Sequence, residues 1–367
     1  MRLTQVQASQ VARDDHALSG RYVAGQRPGP WRLLTVRNTI GLVLLQDRAG
    51  VRCDRVLIWG LAHAHPEGRG GGGRWRPAAR WCRGRPSRRR FRRGNVHPVD
   101  ALNVMTFNLR FASARRPHSW AERRPAMTAL LRRESPHLIG TQEGLYQQLR
   151  DIERDLGHRY AWIGTGREGG SHGEFTAIIY DTGRLAPLEY DHFWLSATPD
   201  RIGSRDEPAD REERAGSPRM ATCVRFEDRS TRCAFYALNT HLDDQSGIAR
   251  QRAATQLTRY LASDRLDPDL PRIITGDFNA PAAEGTPVYD TMLSEGRLAD
   301  SWTRAAKRGE QYGTWHGYQA PITGGERIDW ILTSPTVVTN WSSISTYSDR
   351  GQYPSDHLPV QAALVLP

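Results

Sequence analysis

Six short segments of this chain place a residue capable of chemistry at the edge of an apolar run. Asn108 follows Val-Met-Thr-Phe, Glu143 follows Leu-Ile-Gly-Thr-Gln, and His241 follows Ala-Leu-Asn-Thr. Asp277 and Asn279 follow Ile-Ile-Thr-Gly, Asp329 opens Asp-Trp-Ile-Leu, and Asp356-His357 precedes Leu-Pro-Val-Gln. Any one of these residues alone reads as a turn former or cap, because Asn and Asp hydrogen-bond their own backbone. The recurrence of the pattern, with two histidines and a glutamate among them, points instead to a site built at strand ends, where α/β proteins place their chemistry. The set offers several oxygen ligands, two imidazoles and no nearby thiolate. That donor set suits a hard cation, Mg²⁺ or Mn²⁺, better than Zn²⁺. Such a cation neutralises phosphoryl oxygens, a carboxylate can deprotonate water, and an imidazole can donate to a phosphate oxygen or be held by a carboxylate.

The elements that must position these residues are partly legible. Trp120–Glu134 carries Met127, Leu130, Leu131 and Glu134 at helical spacing and is stopped by Pro136. Leu145–Leu156 and Ile248–Leu261 also read as amphipathic helices. Short apolar runs at 101–110, His137–Thr141, Phe175–Tyr180, Arg272–Thr275, Ile328–Leu332, Val337–Ser345 and Leu358–Leu366 read as strands. Ala221–Phe226 and Cys233–Asn239 flank a polar turn and predict a hairpin in which Cys223 could lie across from Cys233, although two reduced, packed thiols are the better reading. Helices alternate with strands in places and hairpins occur elsewhere, so the fold class is α/β with mixed or antiparallel sheets and no internal repeat.

Charge divides the chain. Residues 1–100 hold 20 Arg and 6 Asp+Glu; the whole chain has 51 basic and 40 acidic residues, so residues 101–367 hold 31 basic and 34 acidic, a net of −3. Lys307 is the single lysine. The stretch 68–93, with four consecutive glycines and clustered arginines, cannot bury enough apolar surface to order itself. We therefore divide the chain into an Arg/Gly-rich extension, 1–98, and a globular domain, 99–367. The extension reads as a disordered tail or a mis-called start, with a nucleic-acid-binding arm as the alternative because Trp75, Trp81 and Phe91 interleave with arginine. His63 and His65 form only a weak metal pair, and Cys53 and Cys82 suggest no function. Four cysteines make no disulfide framework. The apolar runs Ile40–Leu45 and Val56–Ala62 are too short to span a membrane, and no signal peptide is recognisable, which predicts a cytoplasmic location if residue 1 is the true start. No protein partner is evident.

TFNLR (106–110), GTQE (140–143), LNTHLDD (238–244), TGDFN (275–279), RIDWIL (327–332) and SDHLPV (355–360) resemble, in order, the motifs of the endonuclease/exonuclease/phosphatase superfamily. The resemblance covers 101–367 and implies a four-layer α/β sandwich: two packed, mixed, mainly antiparallel sheets with helices outside. It implies that Glu143 is the main metal ligand, with Asn108 and Asp356 completing the metal and phosphate site. Asp277 would orient or deprotonate the attacking water, and Asn279 would position that water or the phosphate. His357 would contact the scissile phosphate with Asp329 holding its ring, and His241 would donate to a phosphate oxygen. A nearby metal favours ionised carboxylates, so Asp277 needs no raised pKa to act as base. Arg110 stands where the abasic-site endonucleases of the superfamily carry an acidic residue. That departure, together with His241, resembles the deadenylase, sphingomyelinase and phosphatase-like branches and argues against abasic-site repair. SWAERRPAM (119–127), IGTGREGG (163–170), GEFTAIIYD (173–181), FWLSATPD (193–200) and GQYPSDHLPV (351–360) further resemble a bacterial subgroup and imply no substrate. Trp315 and His316 sit where relatives carry a substrate-side loop, and Glu174 can face the substrate pocket; a packed Trp with a surface His, and a solvated strand-end Glu, are the plain alternatives.

The sequence thus predicts a metal-dependent hydrolase of phosphomonoesters or phosphodiesters. The −3 charge of residues 101–367 favours a phosphorylated small molecule, sugar, lipid headgroup or nucleotide over a long nucleic acid, which demands a basic surface. A nuclease, and a non-catalytic binding module, are the alternatives.

Overall fold

A computed structural model describes residues 101–206 and 216–367. The expectations for the extension 1–98, its boundary, Cys53, Cys82, His63 and His65 lie outside the described residues.

The described chain builds two sheets. One holds β1 (Leu102–Asn108), β2 (Leu138–Gln142), β3 (Tyr160–Ile163), β4 (Ile178–Asp181), β10 (Lys307–Arg308), β12 (Val338–Ile344) and β13 (Val360–Val365) in the order β10-β12-β13-β1-β2-β4-β3. The other holds β5 (Leu185–Trp194), β6 (Met220–Asp228), β7 (Ala234–His241), β8 (Arg272–Asp277), β9 (Ala299–Asp300) and β11 (Asp329–Thr333) in the order β5-β6-β7-β8-β11-β9. Pairing is parallel at β1–β2, β7–β8 and β10–β12 and antiparallel at the other pairs. The helices are α1 (Trp120–Glu134), α2 (Tyr146–Leu156), α3 (Gly247–Leu261), α4 (Pro287–Ser294) and the short α5 (Ser301–Arg304).

Three apolar layers explain why the central strands read as continuous hydrophobic runs: both of their faces are covered. Met105, Phe107 and Ile139 pack under Met127, Leu130 and Leu131 of α1 and Leu149 and Ile152 of α2. Leu102, Val104, Leu138 and Ile178 meet Val224, Phe226, Phe235, Ala237, Ile273 and Ile331 between the sheets. Leu238, Ile274, Trp330 and Leu332 pack against Ala254 and Leu257 of α3 and Val288 and Met292 of α4. The result is helix, sheet, sheet, helix: the four-layer sandwich the motifs imply.

α1 spans the predicted range. Ser119 and Glu122 close its first turn reciprocally, and Ser135 ends it in the left-handed region. The strand expected from Phe175 begins later, at Ile178; Phe175 makes isolated bridges to Gly144 and Gly166 instead. The 221–239 hairpin forms, but its register sets Leu238 opposite Cys223, so Cys223 and Cys233 do not face each other and both are free thiols. β3, β5, β9, β10, α4 and α5 are elements the sequence pattern does not announce. No helix of the described residues is long and apolar enough to cross a membrane.

Candidate active site

Strand direction brings the motif residues to one edge. β1 and β2 run parallel and pair Asn108 with Gln142 at their ends. β7 and β8 run parallel and pair His241 with Asp277, also at their ends. β11 runs antiparallel to β8, so its first residue, Asp329, lies opposite Asp277. β13 runs antiparallel to β1, which brings the segment just before it, Asp356-His357, to the same edge.

Asp277 is the centre of the cluster. Its Oδ2 accepts from Asn108 Nδ2 at 2.9 Å and lies 3.7 Å from His241 Nε2 and 3.8 Å from His357 Nε2. Its Oδ1 accepts from the Asn279 backbone N–H at 2.9 Å. Burial and the neighbouring Asp329 push the Asp277 carboxyl up to about 7. The motifs alone require no raised pKa at this position; the elevation arises because two carboxylates share one dry corner. His357 lies beside the other member of that pair, with Nδ1 3.0 Å from Asp329 Oδ2. Burial opposes its charge, but Asp329 and Asp277 overcome that penalty and raise it to about 10. His241 is the opposite case: burial, then Arg219 and His357, hold it well below the usual histidine range. One imidazolium and one neutral imidazole therefore flank one carboxyl group at neutral pH.

A second corner adjoins this one. Asn108 Nδ2 also donates to Glu143 Oε1 at 3.0 Å, and Phe111 N–H donates to Glu143 Oε2 at 3.2 Å. Asn108 Oδ1 accepts from Arg110 N–H, so this amide brackets Glu143 and Asp277. Glu143, Asn279 and Arg110 all have positive φ, 61°, 49° and 51°, a backbone state uncommon outside glycine and concentrated at functional sites. Arg110 places its guanidinium 3.7 Å from Glu143 Oε2 and 3.6 Å from Asp356 Oδ2. Two carboxylates that converge on one positive group, with oxygen donors and no thiol, fit a hard divalent cation. Among the described residues, Asp277, Asp329 and His357 are the group of three whose donor atoms lie close enough together to hold an ion. The Glu143–Asp356 corner offers carboxylate oxygens without an imidazole, a donor type that suits a hard cation.

The remaining predicted residues divide. Trp315 is 60% exposed and its backbone bridges that of His357, so it stands at the mouth of the site. His316 is buried with Nδ1 2.9 Å from Gln319 O and Nε2 3.2 Å from Ser355 O, so its ring is committed to the backbone. Glu174 pairs with Arg167 at 2.7 Å beside His241, and burial raises its carboxyl.

Several supporting residues lie inside the quoted segments but are given no role by the sequence reading. Asn239 joins the two sheets: its Nδ2 donates to Thr141 O at 2.7 Å and Ala177 O at 3.1 Å, and its Oδ1 accepts from Gln142 Nε2 at 2.7 Å and Thr275 Oγ1 at 3.1 Å. It thereby fixes the strand ends that carry Glu143 and His241. Ser355 Oγ donates to Asn108 O at 2.7 Å and ties the last motif to the first. Arg123, fully buried, donates to the carbonyls of Leu109, Arg110, Phe111, His118 and Pro354. A signal for Arg123 does exist in the sequence: it shares a helical face with Met127 and Leu130, where a surface arginine has no place.

Phosphate-ester hydrolysis is the chemistry this edge of the sandwich can perform, and comparison agrees. A sequence model of the Endonuclease/Exonuclease/phosphatase family matches residues 105–357. The chain belongs to that family and is a hydrolase of phosphate esters. Mannosyl-6-phosphatase Bt3783 of Bacteroides thetaiotaomicron VPI-5482 is 31% identical, with 72% of this chain and 99% of that chain covered and a TM-score of 0.66. An endonuclease/exonuclease/phosphatase from Bacteroides vulgatus is 28% identical over 73% of this chain and 99% of that one, also at 0.66. The D. rerio TDP2 structure complexed with single-strand DNA product shares the fold at 16% identity, 72% and 98% coverage and a TM-score of 0.54. Comparison with curated proteins gives no match.

Proposed function

We propose that the chain is a Mg²⁺- or Mn²⁺-dependent phosphatase that hydrolyses a phosphomonoester of a small hydroxylated molecule. The observation that carries this reading is the placement of Asp277 Oδ2 among Asn108, His241 and His357. A carboxyl group near neutrality, held between two imidazoles in opposite charge states, is suited to take a proton from water beside a phosphoryl group. Asn279, whose Nδ2 donates to Leu242 O and whose N–H holds Asp277, keeps that carboxylate aimed. The His357 imidazolium, backed by Asp329, offers Nε2–H to a phosphoryl oxygen, and neutral His241 offers its own. Glu143 and Asp356 would hold the metal, with Asn108 fixing Glu143. When bound, the cation neutralises phosphoryl charge. The 31% identity to a mannosyl-6-phosphatase and the −3 charge of residues 101–367 support a small substrate over a polynucleotide.

The test is hydrolysis of p-nitrophenyl phosphate, bis-(p-nitrophenyl) phosphate, a hexose 6-phosphate and a single-stranded oligonucleotide, with Mg²⁺, Mn²⁺ or chelator. Metal-dependent monoester turnover should fall by ~10²–10⁴ in Asp277→Ala and in His357→Ala. Cleavage of the oligonucleotide in preference to every small ester would replace this reading with a nuclease. Equal turnover in Asp277→Ala would remove Asp277 from the chemistry.

A further inference from the structure

Two guanidiniums stand near the Glu143–Asp356 corner, and they are held in different ways. Arg123 is fully buried and donates to five backbone carbonyls, so it is fixed in place. Arg110 is the contrary case. Its side chain is 40% exposed, against 14% for Glu143 and 11% for Asp356. Its contacts with the two carboxylates, at 3.7 and 3.6 Å, are longer than charge-assisted hydrogen bonds. Its guanidinium carbon lies 4.3 Å from the centroid of the Phe111 ring. The backbone beneath is pinned, with φ at 51° and the N–H donating to Asn108 Oδ1 at 2.9 Å. A fixed stem thus carries a loosely held charge.

Charge decides what such an arrangement does. Glu143 and Asp356 carry two negative charges, of which one guanidinium offsets one. A divalent cation on the same carboxylates offsets both. Arg110 then faces a neutralised corner and a like-charged ion, and its attraction to the corner is lost. Asp329 does not replace those partners, because it is paired with His357. A guanidinium released in this way, on an exposed side chain, suits a phosphoryl group, whose oxygens its planar donors can take two at a time.

We propose that Arg110 is an exchangeable counter-ion: it neutralises Glu143 and Asp356 in the metal-free protein, and yields to the divalent cation to pair with a phosphoryl oxygen of the substrate. The inference rests on the metal placement proposed above. It makes Arg110 a competitor of the metal and a partner of the phosphate, so that metal and phosphate each favour the binding of the other.

The experiment is calorimetric titration of the full chain with Mn²⁺, and of the Mn²⁺-loaded chain with inorganic phosphate, for the wild type, Arg110→Gln and Arg110→Lys. Arg110→Gln should bind Mn²⁺ tighter and phosphate weaker, each by roughly fivefold or more, while Arg110→Lys stays near the wild type. Thermal midpoints separate exchange from a structural role. Arg110→Gln should melt below the wild type in chelator and level with it in saturating Mn²⁺, whereas a structural arginine would be missed in both. In the wild type, phenylglyoxal labelling of Arg110, located by peptide mass spectrometry, should rise with Mn²⁺ and fall again with phosphate; this arm decides the matter if neither variant folds. Unchanged or weaker Mn²⁺ binding in Arg110→Gln, unchanged phosphate binding, Arg110→Lys behaving as Arg110→Gln, a midpoint lowered equally with and without Mn²⁺, or labelling indifferent to Mn²⁺ overturns the exchange. Glu143→Gln distinguishes that failure from failure of the metal placement. Mn²⁺ affinity that survives Glu143→Gln sinks the placement itself, whereas affinity lost there but unmoved in Arg110→Gln sinks the exchange alone.

Discussion

His241 and His357 stand on either side of Asp277, yet their surroundings drive them in opposite directions. His357 lies against Asp329 and Asp277, and the two carboxylates hold its proton despite burial. His241 is equally dry, but Arg219 and His357 add positive charge around it. Imidazole ¹⁵N shifts measured in chelator should therefore show His357 protonated on both nitrogens at pH 8 and His241 neutral at pH 6. A His357 that loses its proton below pH 7 would overturn the assignment of roles. Stability follows the same logic. The folded pKa of His357, about 10, exceeds its unfolded value of 6.5, so its contribution is full below 6.5 and is lost as pH rises through 10. Asp277, raised from 3.8 to about 7, shifts in the same sense at lower pH. The thermal midpoint of the chelated protein should thus fall from pH 7 to pH 10; a midpoint that rises over that range contradicts a protonated His357. None of this is legible in the sequence. Residue types and motif order locate Asn108, Glu143, His241, Asp277, Asp329 and His357, but a pKa depends on which neighbours share a dry corner, and only packing decides that.

The elements succeed because two sheets are locked together at the strand ends. Gly140 of β2 is the tightest point: a Cβ there would lie 1.9 Å from Thr275 Oγ1 and 2.6 Å from Asn239 Oδ1. Gly140→Ala should cost ~1–3 kcal/mol in a urea titration, because β2 must move from β7 and β8 or break the Asn239 network. A loss below ~0.5 kcal/mol would show that the sheets adjust freely at this point. α1 plays the same part on the other side. Arg123 bridges the segment after β1 to Pro354, just before Asp356-His357, entirely through carbonyl oxygens. Arg123→Met keeps much of the apolar stem but strands several buried acceptors, each worth ~1–3 kcal/mol. The expected result is a loss of at least ~3 kcal/mol, together with weaker binding of the metal proposed for Glu143 and Asp356, which lose their frame. An unchanged urea midpoint would reduce Arg123 to packing. α1, α2, α3 and the 221–239 hairpin are readable because each carries one clear period. β5 is not: Leu185–Trp194 contains Pro187, a register shift at Pro187/Glu189 and exposed charged residues, as an edge strand permits. β9, β10 and α5 are too short to show any period.

Along the full chain, charge and chemistry separate. Residues 101–367 contain both sheets, the three apolar layers and the edge where the motif residues meet. Their −3 net charge contrasts with the +14 of residues 1–100. If the arginines serve chemistry, they do so by drawing polyanions to the chain, an effect that salt screens steeply. If the phosphatase reading holds, a chain that begins at residue 99 should fold with the same urea midpoint and hydrolyse a hexose phosphate with kcat/KM within about twofold of the full chain. Its turnover should vary little between 50 and 200 mM salt, because a small ester releases few counterions. Oligonucleotide binding by the full chain, by contrast, should weaken with salt and vanish on truncation. A truncated chain that loses small-ester turnover while remaining folded would place residues 1–98 in the catalytic machinery, and would require that the edge formed by Glu143, Asp277 and His357 is incomplete without them.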